Sequence, residues 1–278
     1  MKRTVGLSTM LLACGGLAAI GGLGGAPVQA TPVPLVDYKA VNYNASTGVW
    51  TDSSGNGDNA TFTSAAGGAK PTLVSNATAN GSSAVSFVTD TTGAMGITTP
   101  LDLTTASGFT IMTYTLWSNT SSNSIIGSGS AGSLNWRVYS GNQEALRASV
   151  VGYGSGTNAV PQGAFSSLSI SGIDGAANSG IYRLNGAADG TFNPSNAFQG
   201  TISIIGTGAN FSPDFTGEIA EIQIYNSVLT LAQKQAVESQ FLASYASVPE
   251  PAALGVVALM GAGILLVGRK RKDKNKSA

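Results

Sequence analysis

Any chemistry in this chain has to proceed without imidazole and, past the N-terminal stretch, without thiol. There is no histidine among the 278 residues, and the single cysteine is Cys14. A His general base, a thiol nucleophile in the body, a disulfide and a zinc site of Cys/His type are therefore excluded. Carboxylates, a Ser–Lys pair, tyrosine and oxygen ligands for a hard cation remain. Glu218 and Glu221 lie close together in the run GEIAEIQIY. Retaining glycoside hydrolysis needs two carboxyl groups about 5 Å apart across the scissile bond. On a regular strand, positions three apart face opposite sides, so the two glutamates are expected to be solvated strand positions and the chain is expected not to be an enzyme. Asp37, Glu144 and Asp214 read as isolated acids. Asp52, Asn56 and Asp58 offer oxygen ligands within one loop, and calcium is the cation they would take. The loop lacks the twelfth-position Glu of an EF-hand, and turn chemistry alone accounts for the same residues, because Asp and Asn bond their own backbone and Gly supplies positive φ. Trp50 and Tyr153, beside Gly-rich segments, are expected as exposed rings able to stack on sugars. Trp117 and Trp136 lie in alternating stretches and are expected in the core.

The elements that must hold these residues are short strands separated by Gly, Ser, Thr, Asn and Asp clusters. Leu35 to Tyr43 reads as the first strand, followed by Ser83 to Val88, Phe109 to Trp117, Leu134 to Tyr139 and Ala145 to Val151. Phe165 to Ile173, Gly180 to Leu184, Thr201 to Ile205 and Gly217 to Tyr225 continue the series. Many strands with regular turn signals predict an all-β domain, a two-sheet antiparallel sandwich. One helix is expected after them. Thr230 with Gln233 forms a capping-box pattern, and Val237, Phe241 and Tyr245 make an apolar stripe for packing on the sandwich. Between Thr31 and Ser247 there are six cations against twelve acids, a balance that does not attract nucleic acid or anionic lipid by charge.

Both ends read as targeting segments. Lys2-Arg3, an apolar stretch from Val5 to Leu23 and small residues at Val28-Gln29-Ala30 make a secretory signal peptide over 1–30, with cleavage after Ala30 leaving Thr31 first. Leu11-Leu12-Ala13-Cys14 offers a rival, a lipobox in which Cys14 would be lipidated. At the other end, Val248-Pro249-Glu250-Pro251 is a rigid extended turn. Ala252 to Gly268 is free of charge and would rise about 25 Å as a helix, a short membrane span. The tail 269–278 is basic and should stay cytoplasmic. The order Pro-Glu-Pro, short apolar helix, basic tail resembles the PEP-CTERM sorting signal over 248–278. That resemblance implies an exosortase as partner and an exported body, with the C-terminus cytoplasmic before processing. A plain single-span anchor is the alternative.

The run Trp50-Thr-Asp52-Ser-Ser-Gly55-Asn56-Gly57, and Phe215-Thr-Gly217-Glu218 through Tyr225-Asn226 into the helix, resemble the early loop and closing strand of laminin-G-like domains. These belong to the concanavalin-A-like lectin/glucanase superfold, which implies a jelly roll over 31–247. The expected function is a non-enzymatic binding or adhesion module at the cell surface or in the extracellular matrix, with extracellular polysaccharide as ligand. A structural envelope component without a ligand site, or a glycosidase of the same superfold, are the alternatives.

Overall fold

The computed structural model describes residues 32–246, apart from the short segments 65–67, 89–92, 105–106, 119–122, 129–133, 140–141, 149–150, 174–175, 177–178, 195–200 and 209–213. The side chains of 147–148 and 151–153 are also outside the description. The signal-peptide reading, with its Ala30/Thr31 junction, and the sorting motif Val248 to Pro251 with the following apolar segment all lie outside the described residues. Among the described residues no helix is long and apolar enough to cross a membrane.

The strands in chain order are β1 (Val36–Asn44), β2 (Val49–Asp52), β3 (Ala60–Thr63), β4 (Thr72–Val74), β5 (Ala84–Phe87), β6 (Ala94–Asp102), β7 (Phe109–Trp117) and β8 (Asn123–Gly127). They continue with β9 (Leu134–Tyr139), β10 (Gln143–Ala148), β11 (Val151–Ser155), β12 (Ser166–Gly172), β13 (Gly180–Leu184), β14 (Ala187–Phe192), β15 (Thr201–Ile205) and β16 (Gly217–Tyr225). One helix, α1 (Leu231–Tyr245), follows. Among the described residues, the all-β expectation with one closing helix is met. The predicted separation into two sheets is not. Hydrogen bonds run without a break along β11-β10-β9-β8-β15-β6-β3-β2-β1-β16-β7-β12-β13-β14, with β4 and β5 attached through β16. The result is a nearly closed, barrel-like sheet. Its two ends meet where Gly154 of β11 packs on Phe192 of β14. The ladder stays continuous because it turns through register shifts, between Tyr38 and Tyr43 of β1 and between Ile202 and Ile204 of β15. Such bulges bend and twist a strand without ending its pairing. The segment read as one strand from Ala145 to Val151 is instead β10 and β11, an antiparallel pair.

Inside the sheet sits the main core. It includes Tyr38, Trp50, Phe87, Met95, Phe109, Trp117, Trp136, Tyr182 and Ile222, all at most 1 % exposed. A second, smaller layer lies on the outer face of β7 and β16, where Met112, Tyr114, Ala220 and Tyr225 meet Val237, Phe241 and Tyr245 of α1. The helix forms where the sequence places it. Thr230 Oγ1 accepts from the Gln233 amide at 3.3 Å, and Gln233 Oε1 accepts from the Thr230 amide at 2.9 Å, which satisfies two donors at the helix start. Residues 237, 241 and 245 recur every four positions and all are buried. Full burial of each such side chain contributes about 1.5–3 kcal/mol.

Candidate functional site

Two neighbouring strands carry polar side chains on their outer face. In β1, Val36, Tyr38 and Ala40 turn inward to the core, so Asp37 and Lys39 turn outward. Asp37 pairs with Gln223, and Lys39 with Glu221, across the β1–β16 ladder. At the Asp37–Gln223 step there is a cleft of about 250 Å³, lined by Pro34, Asp37, Ser53, Ser54, Gln223 and Tyr225 among others. Gln240 reaches its edge from α1. Asp37 Oδ2 is 3.1 Å from Lys39 Nζ, while Asp37 Oδ1 is buried with no hydrogen-bond partner. Asp37 is therefore not an isolated acid. It is a charge-paired carboxylate with one acceptor left over, beside a cleft.

Behind the cleft a chain of hydrogen bonds runs toward the helix. Tyr225 Oη donates to Gln223 Oε1 at 2.5 Å, Gln223 Nε2 donates to Glu221 Oε1 at 2.5 Å, and Tyr245 Oη donates to Glu221 Oε2 at 2.6 Å. Glu221 is only 1 % exposed. Burial pushes its carboxyl up to about 7; the bond from Tyr245 opposes this, and repulsion from Asp37 adds to it. A carboxyl poised there keeps its proton through mildly acidic conditions, as a general acid requires.

The expectation that Glu218 and Glu221 face opposite sides is overturned by a bulge. Glu218 pairs with Leu116 and Ile219 with Thr115, but Glu221 pairs with Tyr114, so Ala220 is the extra residue. Leu116 and Tyr114 lie two apart on β7 and share a face. Glu218 and Glu221 therefore share a face as well. Neither is a freely solvated position: Glu218 is half-buried, with burial raising its carboxyl, and Glu221 is fully covered by α1.

The loop read as a cation site borders the cleft through Ser53 and Ser54, but its leading carboxylate is already engaged. Asp52 Oδ1 accepts from the amides of Asp37 and Ser54, both at 2.9 Å. Asp52 Oδ2 accepts from Ser54 Oγ at 2.6 Å and from the amides of Gly57 and Asp58 at 3.1 and 3.3 Å. Burial favours the neutral carboxyl, yet the bonds from Ser54, Asp37 and Asp58 outweigh it and hold Asp52 below the usual carboxylate range. Asn56 Nδ2 donates to the Leu35 carbonyl at 2.8 Å, and the Asp58 carbonyl accepts from Tyr38 Oη. Donors thus fill both carboxylate oxygens of Asp52, and Gly55 and Gly57, at φ 94° and 82°, supply the turn. Trp50 corrects another expectation. It is 0 % exposed, packs against Tyr38 and Tyr43, and donates its indole N–H to the Lys39 carbonyl at 2.8 Å; a sugar cannot stack on it. Tyr153 lies in β11 with its side chain outside the described residues. Trp117 and Trp136 are core residues as expected.

Among the described residues, the contact between a lysine ammonium and a serine hydroxyl is structural in its setting. Lys234 Nζ donates to Ser171 Oγ at 2.5 Å under α1. Burial, with Arg183 nearby, pulls the ammonium down to about 8. Both side chains are buried beside the Arg183–Glu238 ion pair, closed at 2.8 Å. These bonds fasten the helix to β12 and β13.

No family model matches the sequence, and no curated protein does. Solved structures do match the fold. Trypanosoma rangeli sialidase, in complex with 2,3-difluorosialic acid, is similar at TM-score 0.53 and 14 % identity, over 76 % of this chain and 34 % of that one. Domain 4 of AbnA, a GH43 extracellular arabinanase from Geobacillus stearothermophilus in complex with arabinotriose, is similar at TM-score 0.50 and 18 % identity, over 73 % of this chain and 97 % of that one. The chain thus spans about a third of the sialidase's length. The likeness is one of fold, a β-rich fold found in carbohydrate-related proteins. It also removes the ground for expecting no enzyme. The fold is shared with a sialidase and with part of an arabinanase, and the strand geometry on which the exclusion rested does not hold at the Ala220 bulge.

Proposed function

We propose that this chain is an extracytoplasmic carbohydrate-active domain that takes an oligosaccharide at the Asp37–Gln223–Tyr225 cleft. The observation that carries this reading is the buried Asp37 Oδ1, an acceptor without a donor, beside a cleft whose other polar side chains are hydroxyls and two amides. Sugar hydroxyls supply donors of this kind, and leaving such an acceptor unbonded is unfavourable. The complex of the AbnA domain with arabinotriose supports a neutral saccharide as ligand class. The terminal segments support export, an exosortase as processing partner, a membrane-embedded stage before processing, and extracellular polysaccharide as the source of the ligand. The laminin-G-like resemblance of the Trp50 to Gly57 and Phe215 to Asn226 segments is consistent with such a domain.

The test is binding of the purified full chain to an array of neutral and acidic polysaccharides, alongside Asp37→Asn. Saturable binding weakened tenfold or more by the substitution is expected. Binding to no glycan, or binding indifferent to Asp37→Asn, would sink the cleft assignment. Hydrolysis is the second reading, favoured by the shared face of Glu218 and Glu221; it requires α1 to move, since α1 covers Glu221 and both its oxygens are bonded. Release of reducing ends that disappears in both Glu218→Gln and Glu221→Gln would establish it. Sorting is checked separately by mass spectrometry of the mature C-terminus, expected to end near Pro249 to Pro251 rather than at Ala278.

A further inference from the structure

Two acids stand apart from the cleft, inside the sheet where its two ends meet. Glu144 lies on β10 with its side chain turned inward, as is that of Leu146 two residues on, and it is 0 % exposed. Trp136 Nε1 donates to Glu144 Oε2 at 3.2 Å, and Glu144 Oε1 has no partner. Asp189 is the extra residue of a bulge in β14, since Tyr182 pairs with Gly190 and Arg183 with Ala188. It is 2 % exposed. Asp189 Oδ1 accepts from the amide and the side-chain Nδ2 of Asn158 at 2.9 and 2.6 Å, while Asp189 Oδ2 has no partner. Each acid therefore keeps one fully buried oxygen to which nothing donates.

The same short segment is bonded to both acids. The Gly156 amide donates to the Glu144 carbonyl at 2.8 Å, and the Thr157 amide to the Asp189 carbonyl at 2.5 Å. Gly156 is required by the close approach of the carboxylate: a Cβ there would lie 2.1 Å from Asp189 Oδ2. The carboxylates are near enough to repel. Burial first, and then the charge of Asp189, push the Glu144 carboxyl well up, with Trp136 opposing and no basic group among those acting on it. Buried charges of like sign are retained where a proton or a cation compensates them. Carboxylate oxygens supplemented by main-chain oxygens are the donor set of a hard divalent cation.

We infer that Glu144 Oε1 and Asp189 Oδ2 hold a calcium-class divalent cation that ties β10 to β14 where the sheet closes. The segment 156–158 is already bonded to both acids; its Thr157 carbonyl accepts from Gln143 Nε2 at 2.9 Å, so the carbonyls of Gly156 and Asn158 are the ones that would complete the shell. This site is distinct from the Asp52 loop, where donors fill both carboxylate oxygens of Asp52. It is also independent of the saccharide cleft.

The experiment uses the purified full chain stripped with chelator, then titrated with calcium and, separately, manganese. Stoichiometry is read by equilibrium dialysis and stability by thermal melting. Indole fluorescence is followed too, because Trp136 is bonded to Glu144. One tightly held cation per chain is expected, with a rise in Tm on the order of 5 °C at saturating calcium. Both responses should vanish in Glu144→Gln and in Asp189→Asn and persist in Asp52→Asn. Either variant alone decides the matter if the other fails to accumulate. A stripped wild-type chain that neither binds a cation nor changes its Tm would overturn the inference. Binding that survives both substitutions, or is lost only in Asp52→Asn, would overturn it equally.

Discussion

Glu221 and Glu144 are both buried glutamates, and burial raises both carboxyls. They differ in what surrounds them. Both oxygens of Glu221 accept a bond, one from Gln223 and one from Tyr245, and Lys39 stands nearby. Glu144 has the Trp136 indole on one oxygen and nothing on the other, and its charged neighbour is another acid. Burial alone therefore does not say what a carboxyl is for. A closed set of donors makes Glu221 part of the fastening between sheet and helix, whereas an open set leaves Glu144 needing a proton or a ligand from outside the chain.

Unseating α1 should disturb one glutamate and spare the other. Phe241 is 0 % exposed and packs against Tyr114 and Tyr245. Phe241→Ala should cost about 3–5 kcal/mol in chemical denaturation. It should also let water reach Glu221 and bring its carboxyl back toward the ordinary value, followed by NMR titration. Calcium uptake at Glu144 and Asp189 should be unchanged, because α1 is not part of that site. Loss of calcium uptake in this variant would show that the two regions are one cooperative unit.

The pH dependence of stability bears on the same contrast. Folding lifts the Glu221 carboxyl from an ordinary value of 4.5 to about 7, so the folded chain holds a proton that the unfolded chain has released. Stability contributed by that proton is present below about 4.5 and is lost as pH rises to about 7, a change on the order of 3 kcal/mol. Glu221→Gln keeps a neutral side chain at every pH and should flatten this part of the profile. An unaltered slope would mean that Glu221 is ionised in the folded protein. Tyr245→Phe keeps the ring stacked on Tyr114 and removes only the donor to Glu221. It should cost about 1–3 kcal/mol and push the Glu221 carboxyl higher still, moving the midpoint of the stability loss upward in pH.

Much of the fold could be read from alternation, and the failures are local. The strands Phe109 to Trp117 and Gly217 to Tyr225 and the capped helix fall where pattern and caps put them. Polar strands such as β8 and short ones such as β2 to β4 carry too few apolar residues to stand out. Bulges leave no mark on a single sequence. The extra Ala220 reverses the facing of Glu221 relative to a regular strand, and regular-strand geometry is what sends the two glutamates apart on paper. The outward pair Asp37 and Lys39 was legible in the alternation of VDYKA, but the cleft beside it depends on a loop from β2 folding back. Glu144 was legible too, since it alternates with Leu146, once the strand is begun at Gln143 rather than Ala145. Asp189 was not legible: only the β14 bulge turns it toward the closing edge.

A milder perturbation probes how α1 is held at its start. Thr230 and Gln233 satisfy each other's backbone amides, and neither touches the Glu221 network directly. Thr230→Ala removes the acceptor for the Gln233 amide and should cost about 1 kcal/mol in denaturant unfolding. If α1 and the Glu221 network are fastened together, native-state hydrogen exchange should quicken along the whole helix as far as Tyr245, while the β10 and β14 amides keep their protection. Exchange that quickens only in the first helical turn would mean that Lys234, Phe241 and Tyr245 each hold the helix independently. The closure of the network around Glu221 would then owe nothing to the cap, and the contrast with the open pair at Glu144 would rest on side-chain donors alone.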